Sequence, residues 1–254
     1  MKSHESWVAR PILWFAIAYT VNQILHELAH ALTAYSLGIP STLFHFYVDL
    51  DQERATLGER ALFGVAGPVF SLAFGTLCGL AYRRGKGSAA EMPLFYLSVF
   101  GLSIFFGNLI SASFVGDFSR AAVALGLPRT ARYAASMAGA LSLAALLFWA
   151  GGKLRRWVPV DAGPVRGTFG IVALPALIGT ALVILVNQPM RGGFLGARAA
   201  EASFWIFAAA GALVKWRNPR DGSGSSPWRW PDVALFLLAV LIVRVMARGI
   251  PFVP

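Results

Sequence analysis

The sequence predicts an all-α polytopic membrane protein of about seven transmembrane helices (six to seven), with a short β-strand or hairpin after the first. Hydrophobic residues make up 57% of the chain and charged ones only 13%, against roughly 25% charged in soluble domains. Apolar runs of roughly 20 residues recur along it, separated by short clusters rich in Lys, Arg and Gly. The first of these runs contains two histidines and a glutamate, ionisable groups that are expensive in lipid and are kept there for function.

The formal charge of +10 excludes little by itself, but its distribution does. Lys and Arg sit between apolar runs, as membrane anchors and topology signals do, so nucleic acid is not an expected partner and the lipid bilayer is. A single cysteine, Cys78, lies within an apolar run; it can form no intrachain disulfide and reads as packing. Lys2 and Arg10 ahead of Ala16-Ile17-Ala18 imitate a cleavable secretory signal. The apolar run continues to Leu37, long enough to span and stay, so a first transmembrane helix is expected there.

That first segment, about Val8 to Leu37, ends at Gly38 with Pro40 close behind, a helix-stop pattern. The period then changes. Phe44, Phe46, Val48 and Leu50 alternate with His45, Tyr47, Asp49 and Asp51, which predicts a half-buried strand with an edge able to pair with an extended peptide. Segment two, about Glu59 to Tyr82, carries Gly67-Pro68 and then Ser71, Gly75 and Gly79, a ridge of small residues that lets helices approach closely. Segment three, about Met92 to Val115, carries Asn108 and delivers Gly116-Asp117. Four more follow at about Thr130 to Ala150, Thr168 to Asn187, Ala199 to Val214 and Pro231 to Val245. The expected division is residues 1–132 as a catalytic membrane core and residues 133–254 as further helices of the same membrane domain.

The chemistry concentrates in His26-Glu27-Leu28-Ala29-His30, an HExxH motif. Residues four apart share a helix face, so His26 and His30 can offer two imidazoles to one metal ion while Glu27 stands beside it. Two imidazoles and a carboxylate around Zn2+ leave a fourth position for water, whose proton an adjacent glutamate can take. A third ligand is therefore required. Counting crossings, the motif end of segment one and the end of segment three share one side of the membrane, and the motif lies about 25 to 30 Å along its helix, at matching depth. Asp117 is the favoured third ligand; Glu201 falls on the same side, and topology alone leaves both open.

His26-Glu27-Leu28-Ala29-His30-Ala31-Leu32 followed by Gly38-Ile39-Pro40, then Gly67-Pro68, then Asn108 and Asp117, resembles the site-2 protease family of intramembrane zinc metallopeptidases over roughly the first half of the chain. The resemblance implies that His26, His30 and Asp117 bind zinc, that Glu27 is the catalytic base, and that Asn108 contacts the substrate or the oxyanion. It implies peptide-bond hydrolysis of a membrane protein or peptide substrate. The chain departs from the family pattern where Ser111 stands in a proline place, Gly116 precedes the aspartate and Ser71 stands where an asparagine often follows Gly-Pro. The distribution of Lys and Arg favours the side away from the motif as cytoplasmic, and the resemblance implies the reverse. A different class, a transporter or metal-handling protein using the same His, Glu and Asp cluster as an ion path, predicts polar positions spread over several helices.

Overall fold

The apolar runs fold as long helices in the computed structural model, which describes residues 6–84, 90–159, 161–188, 192–216 and 229–254. Helix α1 (Ser6–Ser36) is followed by α2 (Leu57–Arg84), α3 (Glu91–Ser111), the short α4 (Asp117–Ala124) and α5 (Arg129–Leu154). Then come α6 (Pro164–Thr168), which continues through two π-helical turns into α7 (Thr180–Val186), and finally α8 (Gly192–Val214) and α9 (Trp230–Met246). Among the described residues, five helical stretches are long and apolar enough to cross a membrane: Trp7–Ser36, Leu57–Arg84, Glu91–Ser111, Arg129–Trp157 and Pro164–Val186. The other two expected segments are helical as well, α8 with 23 residues, including the apolar stretch Glu201–Val214, and α9 with 17. The basic and glycine-rich connections expected at residues 85–87 and 217–228 lie outside the described residues, as does Lys2.

The chain clusters into two compact units. One comprises residues up to Tyr19 together with Ala144–Val240, the other Thr20–Leu143 together with Leu241–Pro254. In the first unit a buried ion pair ties the start of α1 to the start of α9: Arg10 Nε donates to Asp232 Oδ2 at 3.0 Å, and Trp14 Nε1 donates to Asp232 Oδ1 at 3.0 Å. With both carboxylate oxygens taken, the charge is compensated where water is scarce. Helices α5 and α8 meet through glycines, Gly151 against the Ala208 backbone and Gly211 against the Phe148 backbone.

The second unit is built on α2. Its small residues form one stripe, and each faces a different neighbour: Gly64 faces the Asp117 carbonyl and Ala121 of α4, Gly75 faces Gly101 of α3, and Gly79 faces the Ser98 hydroxyl. The absence of side chains along this stripe is what lets α3 and α4 lie against α2. From α1, Asn22 Nδ2 donates to the Leu97 carbonyl of α3 at 3.2 Å. Cys78 is buried and free, in keeping with a packing role.

The β-structure is the hairpin alternative of the strand or hairpin expected after the first helix. Strand β1 (Ser41–Leu43) and strand β2 (Val48–Leu50) form an antiparallel hairpin, and Phe44 to Tyr47 make its turn, closed by Phe44 N donating to Tyr47 O at 2.9 Å. The expected alternation does not extend through the turn, where His45 and Phe46 are both buried and Phe44 stacks on Tyr47 with ring centroids 4.6 Å apart. A third strand, β3 (Ile250–Phe252), pairs with the other edge of β1, giving the order β2-β1-β3. The sheet sits on the C-terminal half of α1, where Leu43 and Val48 pack with Ala31, Ala34, Phe63 and Met246. Gly38, at φ +72°, ends α1 in the left-handed conformation that the helix-stop pattern predicts, with Ile39 N donating back to Ala34 O at 3.0 Å.

Candidate metal centre

His26 and His30 lie one helical turn apart on α1, and both are buried. Their rings meet the stripe of α2. His30 Nδ1 lies 2.6 Å from the Phe63 carbonyl oxygen, which can only accept, so His30 carries a proton on Nδ1 and, when neutral, presents a lone pair at Nε2. His26 Nδ1 lies 3.0 Å from Ser71 Oγ. Both Nε2 atoms are thereby turned to the same point, 3.2 Å from each other. A histidine held this way, with its outer nitrogen anchored and its inner nitrogen free to donate electrons, is the usual arrangement of a metal ligand.

The third donor comes from the connection after α3. Segment three stops at Ser111, earlier than the expected Val115, and Gly116 at φ +124° redirects the chain so that Asp117 begins α4. A side chain at that dihedral angle would be strained, which explains why glycine precedes the aspartate here. Asp117 Oδ2 lies 3.0 Å from His26 Nε2 and 3.4 Å from His30 Nε2. Burial alone would push its carboxyl up, but the two histidines outweigh burial and hold it well below the usual carboxylate range.

The three donors fit a metal ion on geometry and on chemistry. Ligands about 2.0 to 2.1 Å from a tetrahedral zinc stand about 3.3 Å apart, and the observed triangle has edges of 3.0, 3.2 and 3.4 Å. At these separations a proton on an imidazole or a cation lies between the donors, and a metal ion satisfies all three at once. The space is also kept open: a Cβ on Gly67 would stand 2.6 Å from His26 Nε2 and closer still to His30 Nε2. His26, His30 and Asp117 thus form a group able to hold a metal ion, with the histidines buried and the aspartate half-buried.

Glu27 is buried next to this group, within Coulombic reach of His26, His30 and Asp117. Gln23, one turn earlier, donates from Nε2 to Glu27 Oε1 at 2.6 Å, which fixes the carboxylate while leaving its second oxygen for other work. Asn108 is not drawn into the triangle. Its Nδ2 donates to Ile104 O of its own helix at 3.0 Å, and its Oδ1 lies toward Gly116, the residue before Asp117. Of the two carboxylates left open by topology, Asp117 converges with the histidines, whereas Glu201 Oε2 accepts from the Tyr19 hydroxyl at 3.1 Å.

Comparisons of the chain with protein-family models, with curated proteins and with solved structures found no match.

Four contributors are not in the set read from sequence: Gln23, the Phe63 carbonyl, Gly67 and Ser71. The HExxH spacing, the Gly-Pro pair and the small-residue ridge point near them, and none says which residue holds which imidazole nitrogen. Ser71→Ala is expected to weaken metal binding by about 10- to 100-fold while leaving the fold intact, because a second partner that orients a ligand typically contributes that much. Competition with a zinc chelator of known affinity measures it, and unchanged affinity would show that Ser71 does not orient His26.

Proposed function

We propose that this chain is a membrane-embedded metallohydrolase whose metal is held by His26, His30 and Asp117 and whose base is Glu27. Within that class, the particular reading is an intramembrane zinc metallopeptidase of the site-2 protease kind, acting on peptide bonds of membrane-associated or transmembrane substrates. The observation that carries it is the closed triangle of two Nε2 atoms and one carboxylate oxygen with a third ionisable group, Glu27, buried beside it. Five long apolar helices among the described residues support a membrane location, and α8 and α9 belong to the same membrane domain in this reading. Mixed nitrogen and oxygen donors at these separations favour zinc over the hard cations that prefer all-oxygen shells.

A bound zinc supplies Lewis acidity, which polarises a carbonyl and acidifies water. The protein supplies the rest. Ser71 and the Phe63 carbonyl hold the imidazoles, and Gln23 holds one oxygen of Glu27. The second oxygen of Glu27 takes a proton from the attacking water and returns it to the leaving amine. A helical substrate must first unwind, since its amides are otherwise occupied by internal hydrogen bonds. Strand β2 pairs with β1 on one side only in the sheet order β2-β1-β3, so its outer edge offers backbone groups to an extended segment.

The test is zinc content, by elemental analysis, of the purified wild type beside Asp117→Ala and Glu201→Ala. About one zinc per chain is expected in the wild type and in Glu201→Ala, and a loss in Asp117→Ala. Retention of zinc in Asp117→Ala would overturn the ligand assignment, and wild-type protein prepared without chelators that holds none would overturn the metallohydrolase reading.

A further inference from the structure

A polar cavity opens in the unit that also holds His26, His30 and Asp117, away from Glu27 and the histidines in sequence. It has a volume of about 230 Å³ and is lined by Ser113, Arg129, Arg132 and Tyr133. Among the described residues, no carboxylate lines it. Arg129 and Arg132 stand one turn apart in the first turn of α5, where cations oppose the helix dipole, and that turn has no acidic residue. Arg132 Nε is buried from water and has no hydrogen-bond partner. Arg132 as a whole is half-buried and Arg129 is exposed, and their remaining guanidinium N–H groups are donors that an anion in this cavity can engage.

The surroundings are apolar and exposed. Phe114 and Val115, beside Ser113, are 73% and 74% exposed, and Leu125 and Leu127, just before the arginines, are 60% and 46% exposed. From Tyr133 a stripe of exposed apolar side chains runs along α5 through Met137 and Leu141, at successive spacings of four residues. Arginines with an aromatic residue at the head of such a stripe are the pattern of a helix end at the level of lipid headgroups.

We propose that the cavity formed by Ser113, Arg129, Arg132 and Tyr133 binds the phosphate of an anionic phospholipid whose acyl chain lies along Tyr133, Met137 and Leu141. Two guanidinium groups attract a net negative headgroup, and the lack of a lining carboxylate leaves nothing to receive the quaternary amine of a zwitterionic one. The apolar stripe selects a lipid over a free phosphate ion. The site adjoins the connection that delivers Asp117, Ser113 lying four residues before it. Neither metal binding nor hydrolysis is assumed.

The experiment is native mass spectrometry of the full-length protein in detergent, with phosphatidylglycerol, phosphatidylcholine or inorganic phosphate added at matched concentrations. Wild type is expected to retain phosphatidylglycerol in preference to phosphatidylcholine, and Arg129→Gln with Arg132→Gln to lower that retention on the order of tenfold or more. Arg166→Gln, a control at an exposed arginine of α6, is expected to retain it. Met137→Ser with Leu141→Ser keeps both arginines and is expected to lower retention as well, so the proposal does not rest on a single variant. Equal retention of phosphatidylcholine, retention unchanged in the arginine double variant despite wild-type helicity, or displacement of the lipid by inorganic phosphate at equal concentration would each overturn it.

Discussion

Glu27→Gln is expected to hold zinc at the wild-type stoichiometry and to lose peptide hydrolysis by about 10²- to 10⁴-fold, the usual contribution of a positioned general base. The reasoning separates the two readouts. The proposed metal ligands are the triangle of His26, His30 and Asp117, whose edges do not involve Glu27. Glutamine has the same shape, and its side-chain oxygen can still accept from Gln23 as Glu27 Oε1 does. What it cannot do is take a proton. The expected result is therefore a folded, metal-loaded and nearly inactive protein, read by elemental analysis beside cleavage of a transmembrane peptide in reconstituted vesicles. Full activity in this variant would remove Glu27 from the mechanism. Loss of zinc together with activity would show that Glu27 supports the metal rather than the proton transfer.

The parts of this protein legible in its sequence are those governed by short-range periodicity. The HExxH spacing is a helix property, so the pairing of His26 and His30 on one face follows from four residues of separation. Gly38 ends α1 for a local backbone reason, and it is at positive φ as the stop pattern requires. Asp117 was reachable by counting crossings, but its separation from Glu201 depended on which carboxylate tertiary packing brings to the histidines. The hairpin shows the limit more sharply. Its turn, Phe44 to Tyr47, contains no glycine or proline, and the partner on the far edge of β1 is Ile250–Phe252, some two hundred residues later. No local pattern contains that pairing. Ser71 and Gly67 were visible as members of a small-residue stripe, and the stripe does pack helices at Gly64, Gly75 and Gly79. That the same face also serves the imidazoles at Gly67 and Ser71 depends on the position of α1 over α2, a property of the assembled helices.

Gly67→Ala is expected to abolish metal binding at micromolar zinc, and with it activity, through the addition of one methyl group. The new Cβ would stand 2.6 Å from His26 Nε2 and closer to His30 Nε2, inside the distance at which non-bonded heavy atoms touch. Relief would require one side to move. The imidazoles are anchored at their other nitrogens by Ser71 and the Phe63 carbonyl, so neither ring can swing back without losing a buried hydrogen bond. Helix α2 is equally constrained, because Gly64 already touches the Asp117 backbone and Gly75 the Gly101 backbone. Overpacking of this kind costs about 1 to 3 kcal/mol and is compatible with folding, but the rings that yield are the metal ligands. Gly79→Ala on the same stripe is the control: its Cβ would meet the Ser98 hydroxyl at 2.8 Å, a side chain that can rotate away, and zinc binding there is expected to match the wild type. If Gly67→Ala bound zinc as tightly as Gly79→Ala, the two Nε2 atoms would not be the metal's ligands, and the centre would have to be rebuilt from other donors.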